Sequence, residues 1–174
     1  MNHTKLAALT YNNRALKYHD QERYLDAIQD YTSALHMDRS YALAAYNRAI
    51  SHKALDLIDE ALKDYTMCID IDPLDTDAYN NRGSIYYNMG MYRLAYRDFS
   101  TAIELDAVSP YPYFNRSLCA KCYGWYLHAL VDLRCADQLE RVKSSYGRDV
   151  FQLLRRIKQR SEDNLFRKMP ALDL

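Results

Sequence analysis

Glycine and proline are scarce. The 174-residue chain holds 4 of each, about 5% together, where average usage is roughly 12%. So few breakers leave little room for the turns of a β-sandwich or barrel. With glycine only at Gly83, Gly90, Gly124 and Gly147, the chain contains neither a GxGxxG nor a GxxxxGK phosphate loop. Long apolar runs are also missing: none reaches 18 residues, and the stretch from Met1 to Lys5 has no apolar signal core. The four cysteines, Cys68, Cys119, Cys122 and Cys135, are too few and too clustered for a secreted disulfide framework. Charge of one sign is lacking too, since 23 basic and 23 acidic residues cancel, which leaves no global field for nucleic acid or an anionic membrane. These absences predict a soluble cytoplasmic protein with neither kind of partner.

Tyrosine, by contrast, is abundant, with 17 copies against 4 Phe and 1 Trp. Such an aromatic set packs apolar faces while keeping a polar tip near water, which suits thin, two-layer structures. The charge is also unevenly spread: residues 1–142 carry 15 basic and 19 acidic groups, and residues 143–174 carry 8 and 4.

Most of the information lies in a repeat at a shift of 34 residues. Ala27, Ala61, Ala95 and Ala129 share one column without a gap. So do Asn13, Asn47, Asn81 and Asn115; Arg14, Arg48, Arg82 and Arg116; and Asp30, Asp64, Asp98 and Asp132. Conservative columns surround them, among them Ala15/Ala49/Gly83/Ser117 and Tyr31/Tyr65/Phe99/Leu133. In the third unit Tyr79, Gly83, Tyr86 and Tyr87 recur at helical spacing, and Tyr92, Ala95, Tyr96, Phe99, Ala102 and Ile103 continue it after the turn Met89-Gly90-Met91. Each unit therefore reads as two helices joined by a short turn, with small residues where the axes approach. The predicted helices are 5–19, 24–37, 42–54, 58–71, 76–88, 92–105, 110–122 and 126–141. The Arg and Asp columns are expected to pair within each unit as ion pairs that fix helix register.

The 34-residue period, the small–Ala pairing, the aromatics at the Tyr11 and Tyr31 columns and the Asp72-Pro73 close of the second unit resemble the tetratricopeptide repeat. The resemblance covers about residues 8–143. In that family a closing proline recurs in most units, whereas Arg39, Ala107 and Arg141 stand in the other three here. The resemblance implies an all-α, right-handed α-solenoid of four helix-turn-helix repeats, at 8–41, 42–75, 76–109 and 110–143, followed by a C-terminal capping helix and tail over 144–174. Val150, Phe151, Leu154 and Ile157 form an apolar stripe for such a cap, opposite Arg148, Arg155, Arg156 and Arg160.

In such a stack the first helix of each unit lines the concave side, so a peptide-binding groove can be read off the columns. The Asn column would offer Asn13, Asn47, Asn81 and Asn115 to a peptide backbone. The competing reading is that these carboxamides bridge neighbouring helices internally. Around them lie Asn12, Tyr46, Asn80 and Phe114; then Leu16, Ile50, Ser84 and Leu118; then His19, Lys53, Tyr87 and Lys121. This set is apolar and aromatic with two lysines, and suits a hydrophobic or mixed segment. The carboxylate clamp for chaperone C-termini known in the family needs Lys and Asn in the first unit and Lys and Arg in the third. The corresponding positions here are Asn12, Leu16, Asp77 and Asn81, and only Asn47 matches.

No catalytic constellation is suggested. Cys119 and Cys122 sit one turn apart near a helix end, with Cys135 on the partner helix, and read as small buried hydrophobes rather than metal ligands or a redox pair. The five histidines are scattered. The expectation is a non-catalytic interaction module without cofactor or metal, an adaptor for a protein or peptide partner. The alternative is a structural subunit packed permanently in a larger multiprotein assembly. Self-association through the stack ends is also open.

Overall fold

The computed structural model describes residues 3–140 of the chain. The amphipathic stripe at 146–160 lies outside them. Eight helices follow one another: α1 (His3–Asp20), α2 (Tyr24–Met37), α3 (Ala42–Ala54), α4 (Ile58–Ile71), α5 (Thr76–Asn88), α6 (Tyr92–Leu105), α7 (Pro110–Cys122) and α8 (Tyr126–Glu140). Six of them begin and end at the residues the 34-residue register predicts. The first starts two residues earlier than expected, at His3. Chain connectivity makes four helix-turn-helix pairs. None of the described helices is long and apolar enough to cross a membrane.

The residues divide into two compact units, one ending at Ile85 and the other beginning at Tyr86. In the first, α1 packs on α2, α2 on α3 and α3 on α4. Its core is built from small residues where helices approach, Ala8, Ala15, Ala27, Ala45, Ala49 and Ala61, with Tyr31 and Tyr65 filling the space beside them. In the second, α6 packs on α7 and α7 on α8. Ala95, Phe99 and Cys119 form one buried cluster, and Ala120, Ala129 and Leu133 another. Alanine at these contacts lets helix axes come close, and one large side chain per repeat, Tyr31, Tyr65, Phe99 or Leu133, fills the space beside it.

The Arg and Asp columns make the expected pairs where both partners fall within one unit. Arg48 donates to Asp64 through Nε at 2.9 Å and Nη2 at 2.6 Å, and Arg116 donates to Asp132 at 2.9 and 2.7 Å. Arg14 forks onto Asp30 in the same way. The carboxylates are buried, so a planar, two-point donor suits them. Asp98 is buried as well. A second donor on each later arginine reaches backwards by 16 residues: Arg48 Nη1 to Thr32 at 3.0 Å, Arg82 Nη1 to Thr66 at 3.2 Å and Arg116 Nη1 to Ser100 at 3.1 Å. At Arg48 and Arg116 one side chain thus ties the second helix of its own repeat to that of the repeat before. The hydroxyl column that completes this bridge was not read from the sequence.

Helix ends follow the same period. The sequence offered one closing proline, but the stop is made by the residue before it. Asp38, Asp72 and Asp106 leave the helix in extended conformation. Each carboxylate accepts a backbone N–H two residues on, from Ser40, Leu74 and Val108 at 3.0, 3.1 and 3.0 Å. Asp75 Oδ1 then caps the start of α5 by accepting from Ala78 N at 2.9 Å.

The turn inside each pair carries one residue in the left-handed region: Glu22 (φ 59°), Asp56 (φ 60°), Gly90 (φ 75°) and Gly124 (φ 75°). At each, the next residue's N–H returns to a carbonyl in the last turn of the helix, as in Arg23 to Tyr18 and Met91 to Tyr86. Two units pay the steric penalty of a side chain there, and two avoid it with glycine. A Cβ at Gly90 would meet nothing within 4 Å, so Gly90→Ala loses stability through backbone strain alone, by about 1 kcal/mol. Asp56→Gly gains about 0.5–1 kcal/mol by the reverse argument. Urea melts of the two variants should shift in opposite directions.

Candidate functional site

Within the first unit, the predicted groove residues of α1, α3 and α5 form bridged rows. Asn47 Nδ2 donates to Asn12 Oδ1 at 3.4 Å, and Asn81 Nδ2 donates to the Tyr46 hydroxyl at 2.9 Å. Each bond spans 35 residues, one period plus one, and joins a first helix to the first helix of the preceding unit. Asn47 and Asn81 therefore make the kind of internal bridge that competed with peptide contact in the sequence. Asn12 is only 1% exposed, so this candidate groove residue lies beneath the surface and serves the bridge. Neither Asn47 nor Asn81 spends its side-chain oxygen on a described residue, and both remain half-exposed. Asn13 is exposed.

Leu16 is 37% exposed, Ile50 is half-buried and Lys53 is exposed. Tyr46 packs edge-on against Tyr65 with ring centroids 5.8 Å apart. Burial pushes the Tyr46 phenol up to about 12, Asp77 and Asp75 add to the rise, and the bond from Asn81 opposes it. A further bridge runs from His19 Nδ1 to Ser51 Oγ at 2.9 Å, while the Ser51 hydroxyl donates to the backbone carbonyl of Asn47 at 3.1 Å. That hydroxyl proton is thereby committed, so His19 is the donor of the pair. These bonds give the face a fixed array of amide, phenol and imidazole groups around exposed aliphatic carbon.

In the second unit Tyr87, Asn115, Phe114, Leu118 and Lys121 are all half-buried. Phe114 packs against the cluster of Ala120, Ala129 and Leu133, together with Trp125. The Tyr87 hydroxyl lies 4.0 Å from Cys122 Sγ. Burial and the neighbouring thiol raise its phenol to about 12. Around it runs an aromatic chain that the sequence reading missed: Tyr87 to Tyr92 at 5.4 Å, Tyr92 to Tyr123 at 6.3 Å, Tyr123 stacked on Trp125 at 4.6 Å, and Trp125 edge-on to Tyr96 at 5.7 Å. Its members sit on either side of two turns, so helical periodicity did not group them. The cysteine reading is corrected here. Cys119 is a buried hydrophobe whose thiol burial pushes up to about 12, but Cys122 is exposed and Cys135 half-buried.

The geometry defines a class: helical hairpins with arginine bridges between second helices and, within the first unit, first helices joined edge to edge. The tetratricopeptide repeat family model matches residues 76–107. No curated protein matches the sequence. Among solved structures, YrrB, described as a TPR protein with an unusual peptide-binding site, is 19% identical, covering 91% of this chain and 79% of its own, with a TM-score of 0.77. The second TPR domain of human RPAP3, solved in complex with the HSP70 peptide SGPTIEEVD, is 26% identical over 67% of this chain and 97% of its own, with a TM-score of 0.63. The TPR2B domain of yeast Sti1, solved as an Hsp70 complex, is 24% identical over 68% and 97%, with a TM-score of 0.65. Residues 76–107 thus match the tetratricopeptide repeat, and the described helices share the fold of these TPR structures.

Proposed function

We propose that the chain is a non-catalytic adaptor that holds a hydrophobic or mixed peptide segment of a protein partner against its first helices. The observation that carries this reading is the state of Asn47 and Asn81. One amide hydrogen of each is tied to the helix before, which fixes the side chain and leaves a carbonyl oxygen to accept a peptide N–H. Leu16, Ile50 and Tyr46 supply apolar contact beside those acceptors. Relatives of the same fold were solved with Hsp70 peptides, which supports peptide binding as the mode. The acidic end of such peptides finds no match in Asn12, Leu16, Asp77 and Asn81, so the partner segment is read as apolar or mixed.

The bridges decide which variant tests this. Asn47→Ala with Asn81→Ala removes two inter-helix bonds as well as two acceptors, at a stability cost of about 1–3 kcal/mol, so lost binding would have two causes. Leu16→Asp is cleaner, because Leu16 is exposed and outside the buried cluster. Random-peptide phage display on the full chain is expected to enrich apolar and aromatic segments. Leu16→Asp should weaken them by about tenfold or more, a cost near 1.4 kcal/mol, with an unchanged melting temperature. Failure to enrich any peptide, or enriched peptides indifferent to Leu16→Asp, would sink the proposal.

A further inference from the structure

Each hydroxyl that receives an arginine bridge has a different neighbourhood. The bridges run from Arg48 to Thr32, from Arg82 to Thr66 and from Arg116 to Ser100. One helical turn after these hydroxyls stand His36, Asp70 and Glu104, and three residues further on stand Arg39, Pro73 and Ala107. The later two junctions thus carry a carboxylate and an uncharged residue where the first carries two basic ones. Packing does not account for the change, since His36, Arg39, Asp70 and Glu104 are all exposed.

The same place holds an open groove of about 290 Å³, within the first unit and lined by Thr32, Leu35, His36, Arg39, Arg48 and Met67. No acidic side chain is among the six. Arg48 commits three of its five N–H groups, two to Asp64 and one to Thr32, and its side chain keeps 16% exposure. The side chains of His36 and Arg39 make no hydrogen bond or ion pair with a described residue. Leu35 and the exposed Met67 add apolar carbon and a polarizable thioether beside these donors.

We infer that this groove binds a small organic phosphate monoester. Its oxygens would accept from Arg39, His36 and the remaining N–H groups of Arg48, and its ester carbon would lie on Leu35 and Met67. A phosphate brings three acceptor oxygens and close to two negative charges to three donor side chains, whereas a carboxylate brings two oxygens and one charge. The volume lies at the small end of ligand sites, which limits the ester to a few carbon atoms or one ring. The site is separate from the first-helix face proposed for peptide binding, and neither depends on the other.

The test uses the full chain, labelled at the methionine methyl groups, with phenyl phosphate as the probe at constant ionic strength. The Met67 methyl resonance, identified through Met67→Leu, should shift saturably as the probe is added. Inorganic phosphate, which lacks the ester carbon, and benzoate, which lacks an oxygen and a charge, should each bind about tenfold more weakly. His36→Gln with Arg39→Gln should weaken phenyl phosphate by about tenfold or more. Arg23→Gln removes a positive charge at the other end of α2, about 20 Å away, and should leave binding unchanged. Circular dichroism checks the fold of the variants, and the comparison of the three probes on the unaltered chain carries the test if one of them unfolds. Absence of saturation, inorganic phosphate or benzoate binding as tightly as phenyl phosphate, or equal losses from Arg23→Gln and the double variant would each overturn the inference.

Discussion

Asp64→Ala is expected to lower unfolding free energy by about 3–5 kcal/mol, a large part of a small domain's stability. The carboxylate is buried and accepts three hydrogen bonds, from Arg48 Nε and Nη2 and from His52 Nδ1 at 2.9 Å. Truncation leaves the mostly buried Arg48 with Thr32 as its one remaining side-chain acceptor. An uncompensated charge at that depth costs more than the intact pair contributes. Asp30→Ala removes the equivalent carboxylate, but Arg14 is largely in water, which replaces the lost acceptor. Its loss should be clearly smaller. Replacing Arg48 and Asp64 together by Met and Leu should recover most of the stability, since the penalty lies in the stranded partner. Urea denaturation of the four proteins measures all of this, and equal losses at Asp64 and Asp30 would contradict it.

What the sequence could show and what it hid have a common physical origin. Residues whose role demands one chemistry in every unit, such as alanine at the close approach or Arg and Asp in a fork, stand out as identical columns. They located the helices almost to the residue. The bridge acceptor needs only a hydroxyl, so Thr32, Thr66 and Ser100 vary, and Arg134 breaks the column at the last unit. The left-handed turn tolerates Glu22 and Asp56 at a modest cost, and the glycines at 90 and 124 look like isolated turn residues. The Asn column was visible, but its use was not. The acceptor 35 residues earlier is a carboxamide at Asn12 and a phenol at Tyr46, and no period links two unlike groups. The candidate face was thus legible as a set of positions, while the division between bridging atoms and free atoms required coordinates.

Tyr65 separates packing from polarity within one side chain. Tyr31 and Tyr65 are fully buried, and neither hydroxyl has a hydrogen-bond partner among the described residues. Phe99 and Leu133 fill the same column without a hydroxyl. Tyr65→Phe keeps the ring against Tyr46 and removes a stranded polar group, so stability should rise by about 1 kcal/mol. Tyr65→Ala removes the ring as well and should cost about 3–5 kcal/mol through lost burial and the cavity left behind. Alkaline pH gives an independent reading. Burial raises the Tyr65 phenol and pushes Tyr31 up to about 12, with Asp20 adding to the latter. Since these folded values lie above the unfolded value near 10, the fold favours the protonated form. That contribution is whole below about pH 10 and is lost as pH rises toward 12. Tyr31→Phe and Tyr65→Phe lack the linkage, so their alkaline unfolding midpoints should move upward relative to the parent. A Tyr65→Phe variant that is destabilised at neutral pH would mean that the hydroxyl does find a partner in the folded chain.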